Sequence, residues 1–271
     1  MLRMIDEFTL HQRPKAEDQK PRRNIGFIVS YDGTNFSGSQ RQSNARSVQG
    51  DLENAVREVF GENVNVALSG RTDAGVHATG QVGRFALKHS IPVERLHLAL
   101  NRVLERDVRI MKSWQADESW HPRFNAKSRV YRYTIYNAPI ANPLLERFAG
   151  HVRDELNLET MQASSTRFVG EHDFAAWQSA GSPSGGGTFR NVIQLKVASG
   201  VGAFGIETIE VEVEANGFLY QMVRNIVGAL IEVGKNKLNA SEIDALFAGC
   251  DRTKSPPPAA GQGLCLVKVK Y

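Results

Sequence analysis

Cysteine is scarce in this chain of 271 residues: only Cys250 and Cys265 are present, and their spacing is far from a C-x-x-C pair. A disulfide framework is excluded, and a zinc or redox motif built on cysteine is not supported. The bland expectation is two reduced thiols in a reducing compartment. Long hydrophobic runs are also missing. The longest apolar stretch, Phe218 to Val233, is interrupted by Arg224 and Glu232, so it falls short of the roughly 18 uncharged apolar residues that a membrane-spanning helix needs. Residues 1–23 are polar and carry both charge signs, with no apolar core of the kind a secretory signal contains. The expected location is the cytoplasm. Charge of one sign is not abundant either. Lys plus Arg is 33 against 29 for Asp plus Glu, a net charge of +4, which permits nucleic-acid binding without arguing for it.

What is present is the material of a folded globular protein: 41% hydrophobic and 23% charged residues. Residues 1–23, with Pro14, Pro21 and six basic side chains, read as a flexible arm. Beyond it, Ile25, Phe27, Val29 and Tyr31 alternate as a strand does. Asp32 to Asn35 is turn chemistry, and Ser47 is a candidate N-cap for a helix with Val48, Leu52, Ala55, Val56, Val59 and Phe60 on one face. Gly61 and Asn63 stop that helix, and a strand over 64–68 follows. Further elements are expected as a strand over 81–87, a helix over 92–104, and a strand with Val108, Ile110 and Trp114. The second half predicts a strand over 129–136, a helix over 158–168, strands over 192–197 and 206–214, helices over 218–233 and 241–247, and a last strand over 264–270. Ser182 to Gly187 reads as an exposed, flexible loop. The expected class is α+β in two subdomains, 24–117 and 118–271, each a mainly antiparallel sheet with helices on one face.

Three features carry chemistry. Arg71-Thr72-Asp73 follows an apolar strand on a loop bounded by Gly70 and Gly75, which puts a cation, a hydroxyl and a carboxylate at one point. A surface turn with a local ion pair explains the run as well as a reactive site does. As a site, Asp73 would be a nucleophile or base acting on a nucleic-acid or sugar substrate. A metal site from Asp73 and His77 lacks a third ligand. A phosphate cradle fails because Gly75 and Gly80 are not followed by Lys and a hydroxyl residue. Second, Arg123, Lys127, Arg129 and Arg132 interleave with Phe124, Tyr131 and Tyr133. That mixture provides cations for phosphates and flat faces for an unstacked base, although tyrosines packed in a half-buried strand are the commoner case. Third, Arg224 sits in an otherwise apolar helix and needs an anionic partner, either a core acid or a reactive carboxylate across a cleft.

The runs Tyr31-Asp32-Gly33-Thr34-Asn35-Phe36-Ser37-Gly38, Ser47-Val48-Gln49 and Gly70-Arg71-Thr72-Asp73-Ala74-Gly75-Val76-His77 resemble the tRNA pseudouridine synthase A family. So do Arg129-Val130-Tyr131-Arg132-Tyr133, Gly217-Phe218-Leu219-Tyr220-Gln221-Met222-Val223-Arg224 and Gly263-Leu264-Cys265-Leu266, all in the family's order, over about residues 24–271. The resemblance implies an isomerase that converts uridine to pseudouridine in the anticodon stem-loop of tRNA, at tRNA positions 38, 39 and 40. It implies neither cofactor nor metal, and a homodimer with a basic cleft between two α+β subdomains. By the same resemblance Asp73 matches the essential aspartate, Tyr131 the tyrosine that stacks on the target base, Arg224 the arginine that pairs with the aspartate, and Arg71 the arginine implicated in flipping the base. Ser39 departs from the family, which usually has Trp after this glycine. Two other classes compete. A non-catalytic RNA-binding or tRNA-folding protein has little use for an anionic Asp73 among phosphates, and a metal-dependent phosphodiesterase would use Asp73 with His77.

Overall fold

The structure, a computed structural model, describes residues 21–180 and 187–271. The flexible arm and the Ser182–Gly187 loop expected from the sequence lie outside the described residues, apart from 21–23 and Gly187.

The chain opens with β1 (Arg23–Tyr31), α1 (Val48–Phe60), β2 (Ala67–Leu68), β3 (His77–Leu87), α2 (Val93–Leu100) and β4 (Val108–Gln115). It continues with β5 (Ser128–Asn137), β6 (Gly150–Val152), α3 (Leu158–Ser165), β7 (Gly170–Asp173), β8 (Phe189–Val201) and β9 (Glu207–Ala215). It closes with α4 (Met222–Gly234), α5 (Ala240–Gly249) and β10 (Leu264–Lys270). The local causes are readable. Ser47 caps α1 by accepting from the Gly50 N–H at 3.2 Å, and Gly61 ends it in a left-handed conformation at φ 70°. Asn239 and Glu242 form a capping box at the start of α5. Ile25, Phe27, Val29 and Tyr31 are all buried, as their alternation predicts.

The architecture is α+β. The strands form one ten-stranded, mostly antiparallel sheet, and its main path runs β4-β1-β3-β10-β5-β9-β8-β7. The sheets of the two halves are thus joined edge to edge, and β10 is the joint. It pairs parallel with β3 through Cys265 opposite His77, and antiparallel with β5 through Leu264 opposite Tyr133. An unpaired edge on either half would leave backbone donors and acceptors without partners, and the last strand covers both.

Several boundaries differ from the sequence reading. The helix expected from Phe218 starts at Met222, because Gln221 takes a left-handed conformation at φ 57° that a right-handed helix cannot contain. The strand expected over 64–68 pairs only at Ala67 and Leu68, opposite Arg84 and Gly83. The β3 strand begins at His77 rather than 81, and α2 ends at Leu100 rather than 104. The three-residue β6 and four-residue β7 are too short for alternation to show.

Candidate active site

The segment from Ser69 to Val76 leaves β2 and returns as β3, and Thr72 fixes its shape. The Thr72 N–H donates to Ser39 Oγ at 2.8 Å, and the Ser39 N–H donates back to the Thr72 carbonyl at 3.0 Å. The Thr72 and Tyr31 hydroxyls meet at 2.8 Å in the interior. Upstream, Ser69 Oγ donates to Gln81 Oε1 at 2.6 Å, and Gln81 Nε2 donates to the Gly70 carbonyl at 3.0 Å. Gly38, at φ 101°, makes the close approach possible: a Cβ there would stand 2.8 Å from the Thr72 carbonyl oxygen. With Thr72 drawn inward, its neighbours face the other way. Arg71 is exposed and Asp73 is partly buried. Ser39, the departure from the family's tryptophan, is fully buried and is the loop's main hydrogen-bond partner.

Arg224 reaches this loop from the first turn of α4. Its Nη1 lies 3.3 Å from Asp73 Oδ2, and the two side chains are 16% and 21% exposed. Its Nε donates to the Ala259 carbonyl at 2.7 Å, and the Ala259 N–H donates to the Arg224 carbonyl at 2.9 Å. Ala259 follows the Pro256–Pro258 turn, which lies against α4 at Gly228. A Cβ on Gly228 would stand 2.1 Å from the Pro257 oxygen. The proline turn therefore sets the carbonyl that aims the guanidinium. Burial pushes the Asp73 carboxyl above its ordinary value, and Arg224, by its charge and its hydrogen bond, pulls it back without cancelling the rise.

Tyr131 lies on β5, 8% exposed, with its ring edge-to-face against Phe218 at 5.1 Å. Burial raises its hydroxyl well above the usual phenol range, and the nearby Asp73 charge adds to the rise. Arg71 has no hydrogen-bond or ion-pair partner among the described residues. The structure thus brings Asp73, Arg224 and Tyr131 to one place, with Arg71 two residues from Asp73 on the open side of the loop.

The profile of the tRNA pseudouridine synthase family matches residues 27–125 and 165–271. The chain belongs to this family. A tRNA pseudouridine synthase A of Ruminiclostridium cellulolyticum is 43% identical over 249 residues, which is 92% of this chain and 100% of that protein. The namesakes from Geotalea uraniireducens and Thermoanaerobacter sp. strain X514 are 42% and 40% identical over the same shares. A crystal structure of an unknown protein from Galdieria sulphuraria, at TM-score 0.22 and 11% identity over 80% of this chain and 94% of that one, adds nothing to this. Within the synthase, Arg71, Asp73 and Arg224 fall in the matched segments, and Tyr131 falls between them.

Two cations of the arginine–tyrosine stretch are already committed inside the synthase. Arg129 donates from Nη2 to the Ser69 and Arg123 carbonyls, both at 2.9 Å, and from Nη1 to the Asn216 carbonyl at 3.1 Å. It ties the start of the Asp73 loop to the turn that precedes α4. Arg132 lies 3.0 Å from Glu212 and 3.5 Å from Glu210. Of the four cations in that stretch, Arg123 and Lys127 stand exposed. His77, weighed from the sequence as a metal partner of Asp73, has both ring nitrogens in use. Nδ1 accepts from the Gly33 N–H at 2.9 Å, and Nε2 lies 3.1 Å from the Gln262 carbonyl, to which it donates. Burial holds its pKa down despite the Asp32 carboxylate 3.2 Å away. It is a neutral ring that pins the loop to the turn before β10.

Gln81 and Ala259 carry no signal in the sequence, and Ser39 and Arg129, which stand out there for other reasons, give no sign of these contacts. Each acts through backbone atoms of a distant segment, and residue type carries no sign of that.

Proposed function

We propose that this synthase isomerises uridine to pseudouridine in tRNA, at positions 38, 39 and/or 40 of the anticodon stem-loop, with Asp73 as the reacting carboxylate. The reaction breaks the N1–C1′ bond, turns the uracil and joins C5 to C1′. The hydrogen on C5 leaves to water as a proton and N1 takes one up, so no atom is gained and no redox partner is needed. The observation that carries the reading is a partly buried Asp73 held 3.3 Å from an Arg224 whose own direction is fixed by Ala259. The carboxylate serves either by adding to the base or sugar or by removing the C2′ proton. In both routes it starts ionised, and Arg224 keeps it so against the effect of burial.

The target base leaves its stack at a cost of a few kcal/mol. Tyr131 returns roughly 1–3 kcal/mol by stacking, and Arg71, unpaired among the described residues, occupies the space or holds the flipped phosphate. On a division at 117/118, which rests on the family, Asp73 and Arg71 belong to one subdomain and Tyr131 and Arg224 to the other, and we take the substrate to enter between them. We further take the synthase to act as a homodimer in the cytoplasm, which rests on the family. No helix among the described residues is long and apolar enough to cross a membrane.

The test uses a tRNA transcript tritiated at uridine C5, with wild type and Asp73→Asn compared with and without EDTA. Release of tritium to water by wild type alone supports the reading. Retained tritium with both proteins bound to tRNA points to a binder, and loss of wild-type release in EDTA points to a metal-dependent enzyme.

A further inference from the structure

Phe124 is 77% exposed, a large apolar ring on a turn that is otherwise rigidly built. The His121 N–H donates to Asn125 Oδ1 at 2.7 Å, the Asn125 N–H donates to the His121 carbonyl at 3.1 Å, and the Arg123 N–H donates to His121 Nδ1 at 3.1 Å. From below, the Tyr271 hydroxyl donates to the carbonyl of the buried Pro122 at 2.8 Å. The His121 ring lies against Phe124 with centroids 4.4 Å apart and a 32° tilt, a close tilted aromatic pair. The Arg123 guanidinium stands 5.9 Å from the Phe124 centroid. Burial and the charges of Arg84 and Arg123 push the His121 pKa down. The turn also adjoins the Asp73 loop, since one nitrogen of Arg129 donates to both the Arg123 and the Ser69 carbonyls.

A preformed aromatic pair flanked by guanidiniums is matched by a flat, π-faced group carried on a polyanion. We infer that Phe124, backed by His121, is a second stacking platform for an unpaired nucleobase of the RNA substrate, separate from the target uridine, with Arg123 and Arg84 meeting the adjoining phosphates. This rests on the proposed action on tRNA. An unpaired base held beside the cleft fixes the register of the loop, so that the neighbouring uridine and not another enters the site.

The experiment places 2-aminopurine, in turn, at each unpaired position of the anticodon loop of a tRNA transcript. Fluorescence is followed on binding to the Asp73→Asn protein, with and without Phe124→Ala or Phe124→Trp. Quenching at one position that Phe124→Ala abolishes and Phe124→Trp keeps is the expected result. In the active protein, Phe124→Ala raises KM about tenfold, the loss of one stacked base, with kcat changed less than twofold and thermal stability unchanged. Equal quenching in all three proteins overturns the inference. So does a fall in kcat at constant KM, or a shift in sedimentation of the free protein, which would make Phe124 a protein–protein contact. If wild type releases no tritium but quenching still depends on Phe124, the platform stands and the proposed reaction fails; the converse pattern separates them in the other direction.

Discussion

Arg224 Nη1 and Asp73 Oδ2 lie 3.3 Å apart although the two residues stand 151 positions apart in the chain. Burial raises the Asp73 pKa and Arg224 opposes it, so the pair sets the pH at which the carboxylate is available. Replacing Arg224 with Gln removes the opposing charge and lets the pKa climb further. The acid limb of the pH profile of kcat/KM then moves to higher pH, and the rate at neutral pH falls. Arg224→Lys keeps a charge but gives up the Nε–H bond to Ala259 at 2.7 Å, so its limb lies between those of wild type and Arg224→Gln. A profile that drops evenly at every pH would show that Arg224 acts by packing alone.

The same shift makes a prediction about stability. An aspartate whose folded pKa is raised binds its proton more tightly when folded, so folding becomes less favourable as pH rises through the interval between the unfolded and folded values. A neutral amide in place of the carboxylate carries no such penalty. Asp73→Asn is therefore expected to unfold at a higher temperature than wild type at pH 7, and the gap closes as the pH is lowered through the ordinary carboxylate range near about 3.9. Calorimetry across pH 3–8 checks it, and a variant less stable than wild type at pH 7 refutes it.

How much was legible beforehand follows from what kind of signal each part carries. Periodicity and capping showed α1 through Ser47 and Gly61, and β1 through its alternation. Arg224 stood out because a cation in an apolar helix needs an anionic partner, whereas the run around Asp73 read equally well as a surface turn until the resemblance marked it. The joining of the sheets by β10 was not readable, since strand pairing between distant segments leaves no local trace. Nor was the role of Arg129, which read as a phosphate contact and instead spends its donors on the carbonyls of Ser69, Arg123 and Asn216. Carbonyls are common to every residue, so no side-chain pattern marks such a stitch.

His77 offers a second pH-linked test. Its pKa is lowered in the folded protein from 6.5 by burial. As pH falls below 6.5 the unfolded chain takes up a proton there and the folded chain does not, so stability is lost between 6.5 and the lower folded value. His77→Gln offers an amide to the Gly33 and Gln262 backbone groups and does not titrate. Its stability, measured by urea denaturation, is lower than wild type at pH 8 but falls less between pH 7 and pH 5. Parallel pH dependences in the two proteins would mean that His77 is not held neutral.

The Thr72 clamp yields the sharpest mutational cycle. Ser39→Ala leaves the buried Thr72 N–H without its acceptor, which costs about 1–3 kcal/mol. Tyr31→Phe removes the 2.8 Å contact with the Thr72 hydroxyl and costs about 1 kcal/mol. Both act on one residue next to Asp73, so their effects on activity are expected to be coupled rather than additive. A displacement of the carboxylate by about 1 Å lowers kcat on the order of 100-fold, while tRNA affinity, to which this loop contributes Arg71 alone among many contacts, changes less. Either single variant should thus lower kcat at nearly constant KM. The double variant should do little further harm, because a loop already released from one clamp has lost the alignment that the other preserved. Strictly additive effects on kcat in the four-member cycle would show that Ser39 and Tyr31 support the fold independently and do not jointly aim Asp73.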